Sequence, residues 1–147
     1  MKKLISTRTH GVIDYVTAGT LFALPRVLGC NRKFTAAVTG VALGKLAYSQ
    51  MTRHELGLVK LIPMPMHLAM DAVSGAGLAA LPLLLDEKDE TAVAAVVAMG
   101  LSDVAAALMT DPVSSEDRQA AASATARHRA DRLFARAPSH SAAVPTA

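Results

Sequence analysis

One apolar stretch occurs twice in this chain, and it limits what the chain can become. The first copy runs from His10 through Asp14 and Leu21 to Pro25, the second from His67 through Asp71 and Leu78 to Pro82. Shifted by 57 positions, the copies share 7 of 16 residues: His, Asp, Val, Leu, Ala, Leu and Pro. Both are apolar apart from the same His and the same Asp. A spacing of four sets those two side chains on one face of a helix. A duplicated apolar segment with a duplicated polar pair predicts a fold built from two copies of one unit.

The unit is a pair of helices. After each copy comes a second apolar segment, Phe34–Met51 and Thr91–Met109. Met51-Thr52 and Met109-Thr110 end these segments at a spacing of 58, which aligns Lys45 with Asp103. The four segments are therefore expected at about 10–29, 34–51, 61–85 and 91–109. Pro63 and Pro65 open the third, because proline is tolerated in a first helical turn, and this puts His67 in that opening turn. Pro25 and Pro82 each free a carbonyl four residues back, so a matched kink is expected. Gly40 and Gly44 form a GxxxG, a spacing that lets helices approach closely in lipid.

Lengths of 18–25 residues fit a hydrocarbon core of ~30 Å. No segment has 18 uncharged residues in a row, the longest such run being the 14 residues Ala72–Leu85. A soluble bundle would still show a charged stripe along each helix. Thr91–Ser102 and Ala72–Leu85 have none. Charged residues are 18% of the chain, below the roughly 25% of soluble domains. The sequence thus predicts an all-α, four-helix transmembrane bundle, a duplicated helical hairpin with a pseudo-two-fold along the membrane normal. Its parts are a basic N-terminus (1–9), a first repeat (10–52), a second repeat (61–110) and a polar tail (111–147).

Orientation follows from basic residues. Ten of them (Lys2, Lys3, Arg8, Arg53, Lys60 and five arginines of the tail) lie on one side. Four (Arg26, Arg32, Lys33, Lys88) lie on the other, where the third loop is otherwise acidic. Both termini are expected in the cytoplasm of a bacterial cell, with the spans in its inner membrane. A secretory leader is not indicated, because His10 and Asp14 break the first apolar core and Arg26 precedes the Val27-Leu28-Gly29-Cys30 run. One cysteine excludes an internal disulfide. The net charge of +3, without aromatic–basic interleaving, excludes nucleic acid as a partner. In the tail, Ser114 or Ser115 before Glu116 and Asp117 is a helix start, with an Ala/Arg helix possible to Arg136. A loosely ordered, solvated tail ending in a disordered 138–147 is the expected state, with a lipid-surface, protein-partner or homo-oligomer role open.

Counted from the cytoplasmic ends, His10, Asp14, Lys45, His67, Asp71 and Asp103 fall in one layer. Each ionisable group at mid-bilayer opposes insertion by roughly 2.5–3.5 kcal/mol, so all six should face inward and be partnered. Two readings remain open. Each His–Asp pair is a structural clasp, or the layer is a cytoplasm-facing site for a cation or a proton. A helix N-terminus disfavours imidazolium, leaving His10 and His67 neutral and able to ligate a divalent cation or to hold haem axially. Absence of any cofactor is the simpler expectation. No nucleophile–base–orienter trio, phosphate loop or HExxH points to an enzyme. Arg53-His54-Glu55, in the loop beside this layer, reads as a solvated, headgroup-facing segment or as a gate.

The stretches Asp14–Gly29 and Asp71–Leu85, each with Asp, a small residue, Leu and Pro at fixed spacing, resemble the SPW-repeat type of small bacterial membrane proteins. Ala23-Leu24-Pro25-Arg26 and Ala80-Leu81-Pro82-Leu83 stand without the Ser and Trp that flank proline in that repeat. The resemblance covers about residues 10–110. It implies a two-helix repeat topology and carries over no catalytic residue.

Overall fold

In the computed structural model, which describes residues 4–136, the chain is helical throughout. The helices are α1 (Thr7–Val27), α2 (Arg32–Gln50), α3 (Met64–Leu85), α4 (Glu90–Met109) and α5 (Ser115–Arg136), and no strand occurs among the described residues. Polar caps decide where the helices start. Ser6, Asn31 and Asp89 accept from the N–H groups of Thr9, Phe34 and Ala92, meeting donors that a helix cannot satisfy itself. These caps carry α1 and α2 two to three residues further back than apolar periodicity alone predicts. The third helix starts as its prolines require, with Pro63 at the cap and Pro65 in the first turn.

The expected proline kinks fall at helix ends. Pro25 and Pro82 sit in the last turns of α1 and α3, and the helices stop at Val27 and Leu85. There the loss of one backbone hydrogen bond disturbs little that follows.

The chain divides into two compact units, Met1–Glu116 and Asp117–Ala147. In the first, α1 packs against α2 and α4, and α3 packs against α4 and α2. The closest approach is between α3 and α4, at Gly75 and Gly100. A Cβ on Gly75 would stand 2.6 Å from the Gly100 carbonyl oxygen. One end of this unit has an apolar core of Leu21, Phe34, Val38, Ala42, Leu78, Ala92 and Val96. The other end is polar.

At that polar end two short backbone pairings recur with the offset of the sequence copies. Leu61 and Ile62 donate to the Met51 carbonyl, and Leu4 and Ile5 donate to that of Met109. Arg53 N–H donates to Ile62, and Asp111 N–H donates to Ile5. The segment before α3 is thus fastened to the end of α2, and the segment before α1 to the end of α4.

Polarity is arranged inside out. His67 and Asp71 are 0% exposed and Lys45 is 1% exposed, whereas Leu83 and Leu84 are 86% and 75% exposed. α3 and α4 are long and apolar enough to cross a membrane, and only 28% and 33% of their most apolar stretches are buried. A core helix of a soluble protein buries most of its apolar surface; these two do not. α1 and α2, at 21 and 19 residues, are long enough but too polar to meet the same standard, since Asp14, Arg26, Lys33 and Lys45 lie within them.

In the second unit, the greater part of α5 is an exposed helix as far as Arg136, with Leu133 and Phe134 open on its surface. Of the two states left open for this run, a loosely ordered tail and an Ala/Arg helix to Arg136, the described residues form the helix, in keeping with the high helix propensity of the sequence. The disorder expected for 138–147 lies outside the described residues.

Candidate functional site

All six ionisable residues singled out from the sequence meet in one buried network. His10 and Asp14 come from the opening turns of α1, His67 and Asp71 from those of α3, Lys45 from α2 and Asp103 from α4. The Lys45 ammonium is at the centre, donating to Asp71 Oδ1 at 2.6 Å and lying 2.9 Å from Asp14 Oδ1 and 3.4 Å from Asp103 Oδ2. Its position explains why Lys45 and Asp103 break the match between the copies. One cation in place of a fourth carboxylate holds the other three together.

The His–Asp pairs do not close as the four-residue spacing implies. His10 Nε2 is 2.7 Å from Asp71 and 3.6 Å from Asp14; His67 Nε2 is 2.9 Å from Asp14 and 3.1 Å from Asp71. Of the two carboxylates near each Nε2, the closer therefore belongs to the other copy. Side chains one turn apart on a helix are neighbours, but here a facing helix offers a straighter line. The pairs tie α1 to α3.

Two threonines fix the protons. Thr52 Oγ1 donates to the Tyr48 carbonyl at 2.7 Å, and Thr110 Oγ1 donates to that of Ala106 at 2.6 Å. A hydroxyl has one hydrogen, and a carbonyl can only accept. Each threonine oxygen must then accept from the imidazole it faces: His67 Nδ1 on Thr52 and His10 Nδ1 on Thr110, both at 2.8 Å. With Nδ1 protonated, each Nε2···Oδ2 line still needs one proton, whichever atom holds it. Each Nε2 lies about 3 Å from a carboxylate oxygen of the other copy, so the nitrogens expected to ligate a cation are already engaged in hydrogen bonds. Three carboxylates are balanced by one ammonium and two shared protons, leaving the layer neutral.

This proton inventory decides what the layer can hold. Donor atoms of His10, Asp14, His67 and Asp71 lie within 4.8 Å of one another, a spacing that a cation can bridge. Each is already committed, however. A divalent ion would have to expel both shared protons and move Lys45. Haem fits worse. The two rings have centroids 5.3 Å apart and both Nε2 atoms converge on Asp71, which leaves no room for a macrocycle between them.

Around the cluster stand residues not singled out from sequence. Tyr48 OH donates to Asp71 Oδ1 at 2.6 Å, with Ser74 3.3 Å behind it. Ser49 Oγ donates to Asp14 at 3.2 Å and is 3.3 Å from His54 Nε2. Thr52 and Thr110 are visible as a recurring Met-Thr, and Ser74 aligns with another hydroxyl residue, Thr17; Tyr48 and Ser49 stand opposite Ala106 and Ala107 and give no signal. The Arg53-His54-Glu55 segment divides. Arg53 is exposed as expected, but His54 is fully buried beneath the loop. Burial lowers the His54 pKa from its ordinary value, helped by His67 and opposed by Asp14 and Glu55. Glu55 accepts from Thr7 at 2.8 and 2.9 Å and from Ser115 at 2.6 Å, strapping the loop to the starts of α1 and α5. Burial is the largest single effect on Glu55 and pushes its pKa up, but the hydrogen bonds from Ser115, Thr7 and backbone N–H groups together outweigh it and lower the pKa from its ordinary value.

No family model, curated protein or solved structure matches the chain. Function must be read from the site.

Proposed function

We propose that this chain is an integral inner-membrane protein, a four-helix bundle made of a duplicated helical hairpin, whose cytoplasm-facing His/Asp/Lys layer handles protons. The observation that carries this reading is the pair of imidazole–carboxylate hydrogen bonds, each between one copy and the other, around one buried ammonium, with Nδ1 of each ring on a threonine that can only accept. Imidazole–carboxylate pairs exchange protons near neutral pH, and ionisable groups kept inside a span mark proton or ion pathways. Four observations support the setting: apolar residues outside, charges inside, the α3 and α4 spans, and pairings that recur with the offset of the repeat. α1 and α2 span in this reading because their charged residues are neutralised inward or lie near their ends. The SPW-repeat resemblance is consistent with the same topology.

A second reading, in which the layer only fastens the helices, is favoured by the completeness of the network. Among the described residues, Gln50 has the one buried side-chain polar atom without a partner, and it is outside the cluster. Asp14→Asn and Asp71→Asn separate the two readings. Under proton handling, removing either carboxylate releases one shared proton. The facing Nε2 then appears unprotonated by 15N NMR, proton uptake by the layer falls, and stability in detergent holds, since a buried charge has been replaced by an amide. Under fastening alone, each change costs about 0.6–2 kcal/mol as intramembrane hydrogen bonds do, and the wild type shows no change in imidazole protonation with pH. Additive destabilisation with no proton response in any form rejects the site.

A further inference from the structure

We propose that His54, acting through the Ser49 hydroxyl, is the proton donor and acceptor that connects the buried layer to the aqueous side. This rests on the proton-handling reading and adds the route by which protons reach it.

The bonds along this line have a definite direction. Leu56 N–H donates to His54 Nδ1 at 3.1 Å, so Nδ1 has no hydrogen and the ring is neutral, with its hydrogen on Nε2. Nε2 is 3.3 Å from Ser49 Oγ, whose own hydrogen is given to Asp14 Oδ2. The chain His54 Nε2–H to Ser49 O–H to Asp14 is thus oriented inward at every step. Asp14 Oδ2 is the same oxygen that faces His67 Nε2. The relay ends on a shared proton.

Space has been cleared for the ring. Gly11 lies against it, and a Cβ there would stand 3.0 Å from His54 Cε1 and 3.1 Å from Nδ1. The groups facing His54 are Asp14 from α1, Ser49 from α2, His67 from α3 with ring centroids 5.9 Å apart, and Glu55 beside it in the loop. Its other nitrogen accepts from the backbone N–H of Leu56, a half-buried residue of the loop. An imidazole with one nitrogen on a loop amide and the other on a hydroxyl bonded to a buried acid is suited to pass protons in either direction.

The transfer balances. A proton from water binds Nδ1 as the Leu56 amide lets go. Nε2 gives its hydrogen to Ser49, and Ser49 gives its own to Asp14. His54 is left neutral with its hydrogen on Nδ1; the proton already on the Asp14–His67 line stays with His67, and Asp14 becomes an uncharged acid beside Lys45, so the layer gains one positive charge. Return of the proton by the same steps in reverse restores the starting state.

The test is proton uptake by the full chain in detergent after a pH jump from about 8 to about 5, followed with an indicator dye. The amplitude, taken as a difference from the Asp14→Asn/Asp71→Asn double variant, counts protons entering the layer; the rate reports access. Ser49→Ala should keep the amplitude and slow uptake on the order of 10²-fold, as expected on losing a positioned acid–base group. Ser49→Thr, which returns the hydroxyl, should restore the rate, and His54→Gln should slow it as Ser49→Ala does. Uptake at the wild-type rate in His54→Gln and Ser49→Ala overturns the relay and leaves the proton-handling layer standing. Absence of any difference amplitude in the wild type overturns both. Should Ser49→Ala fail to fold, His54→Gln against Ser49→Thr decides the question by the same rates.

Discussion

In sequence His54 reads as a loop residue between an arginine and a glutamate, solvated or part of a gate, and the fold buries it completely. Its depressed pKa makes acid the stress to apply. Above the ordinary value of 6.5 the residue is neutral in folded and unfolded chains alike. As pH falls below 6.5 the unfolded chain takes up a proton before the folded one does, so the unfolded state is favoured. The loss of stability accumulates down to the lower folded pKa and then stops. Unfolding in detergent at a series of pH values should show that part of the acid slope in the wild type and not in His54→Gln. Equal slopes would mean that His54 is solvated. Its burial was not legible in the sequence, because the groups around it include Gly11, more than forty positions away, and the Glu55 strap to Thr7 and Ser115.

At the level of helices, the GxxxG visible in the sequence and the close contact in the fold are in different places. Gly40 and Gly44 have open space where a Cβ would be, while Gly75 and Gly100 bring α3 and α4 together. The positions 57 and 58 residues earlier are Ala18 and Ala42, both buried, so α1 and α2 meet through methyl groups where α3 and α4 meet through backbone. Gly100→Ala would set a methyl carbon 2.7 Å from the Ala79 nitrogen. It should destabilise the protein by about 1–3 kcal/mol, as overpacking does. Gly44→Ala meets nothing and should be neutral or stabilising by up to ~1 kcal/mol, from helix propensity. Thermal unfolding of both in detergent checks the pair. The helices were legible because apolar runs and prolines mark them, and the six-residue layer was legible because a repeat places equivalent residues at equal depth. Which carboxylate each imidazole chooses was not, since a spacing of four is equally compatible with a bond along the helix and one across to its neighbour.

For the whole molecule, the proposed topology uses the ten-to-four division of basic residues to assign the polar layer and both chain ends to the cytoplasmic side. Reporters fused after Arg136 and within Asp86–Glu90 should then report opposite sides of the membrane. The same side from both would reject the four-span reading, and a chain that stays soluble without detergent would reject the membrane itself. The two backbone pairings at the polar end also bear on how such a chain can be written. Residues 61–62 grip the end of α2 as residues 4–5 grip the end of α4, so the molecule has two equivalent seams. Covalent bonds cross only the first of them, through the 53–60 loop. A gene in which the second helix pair preceded the first would encode the same set of contacts with the seams exchanged. Two separately translated halves would need no linker at all to find their places.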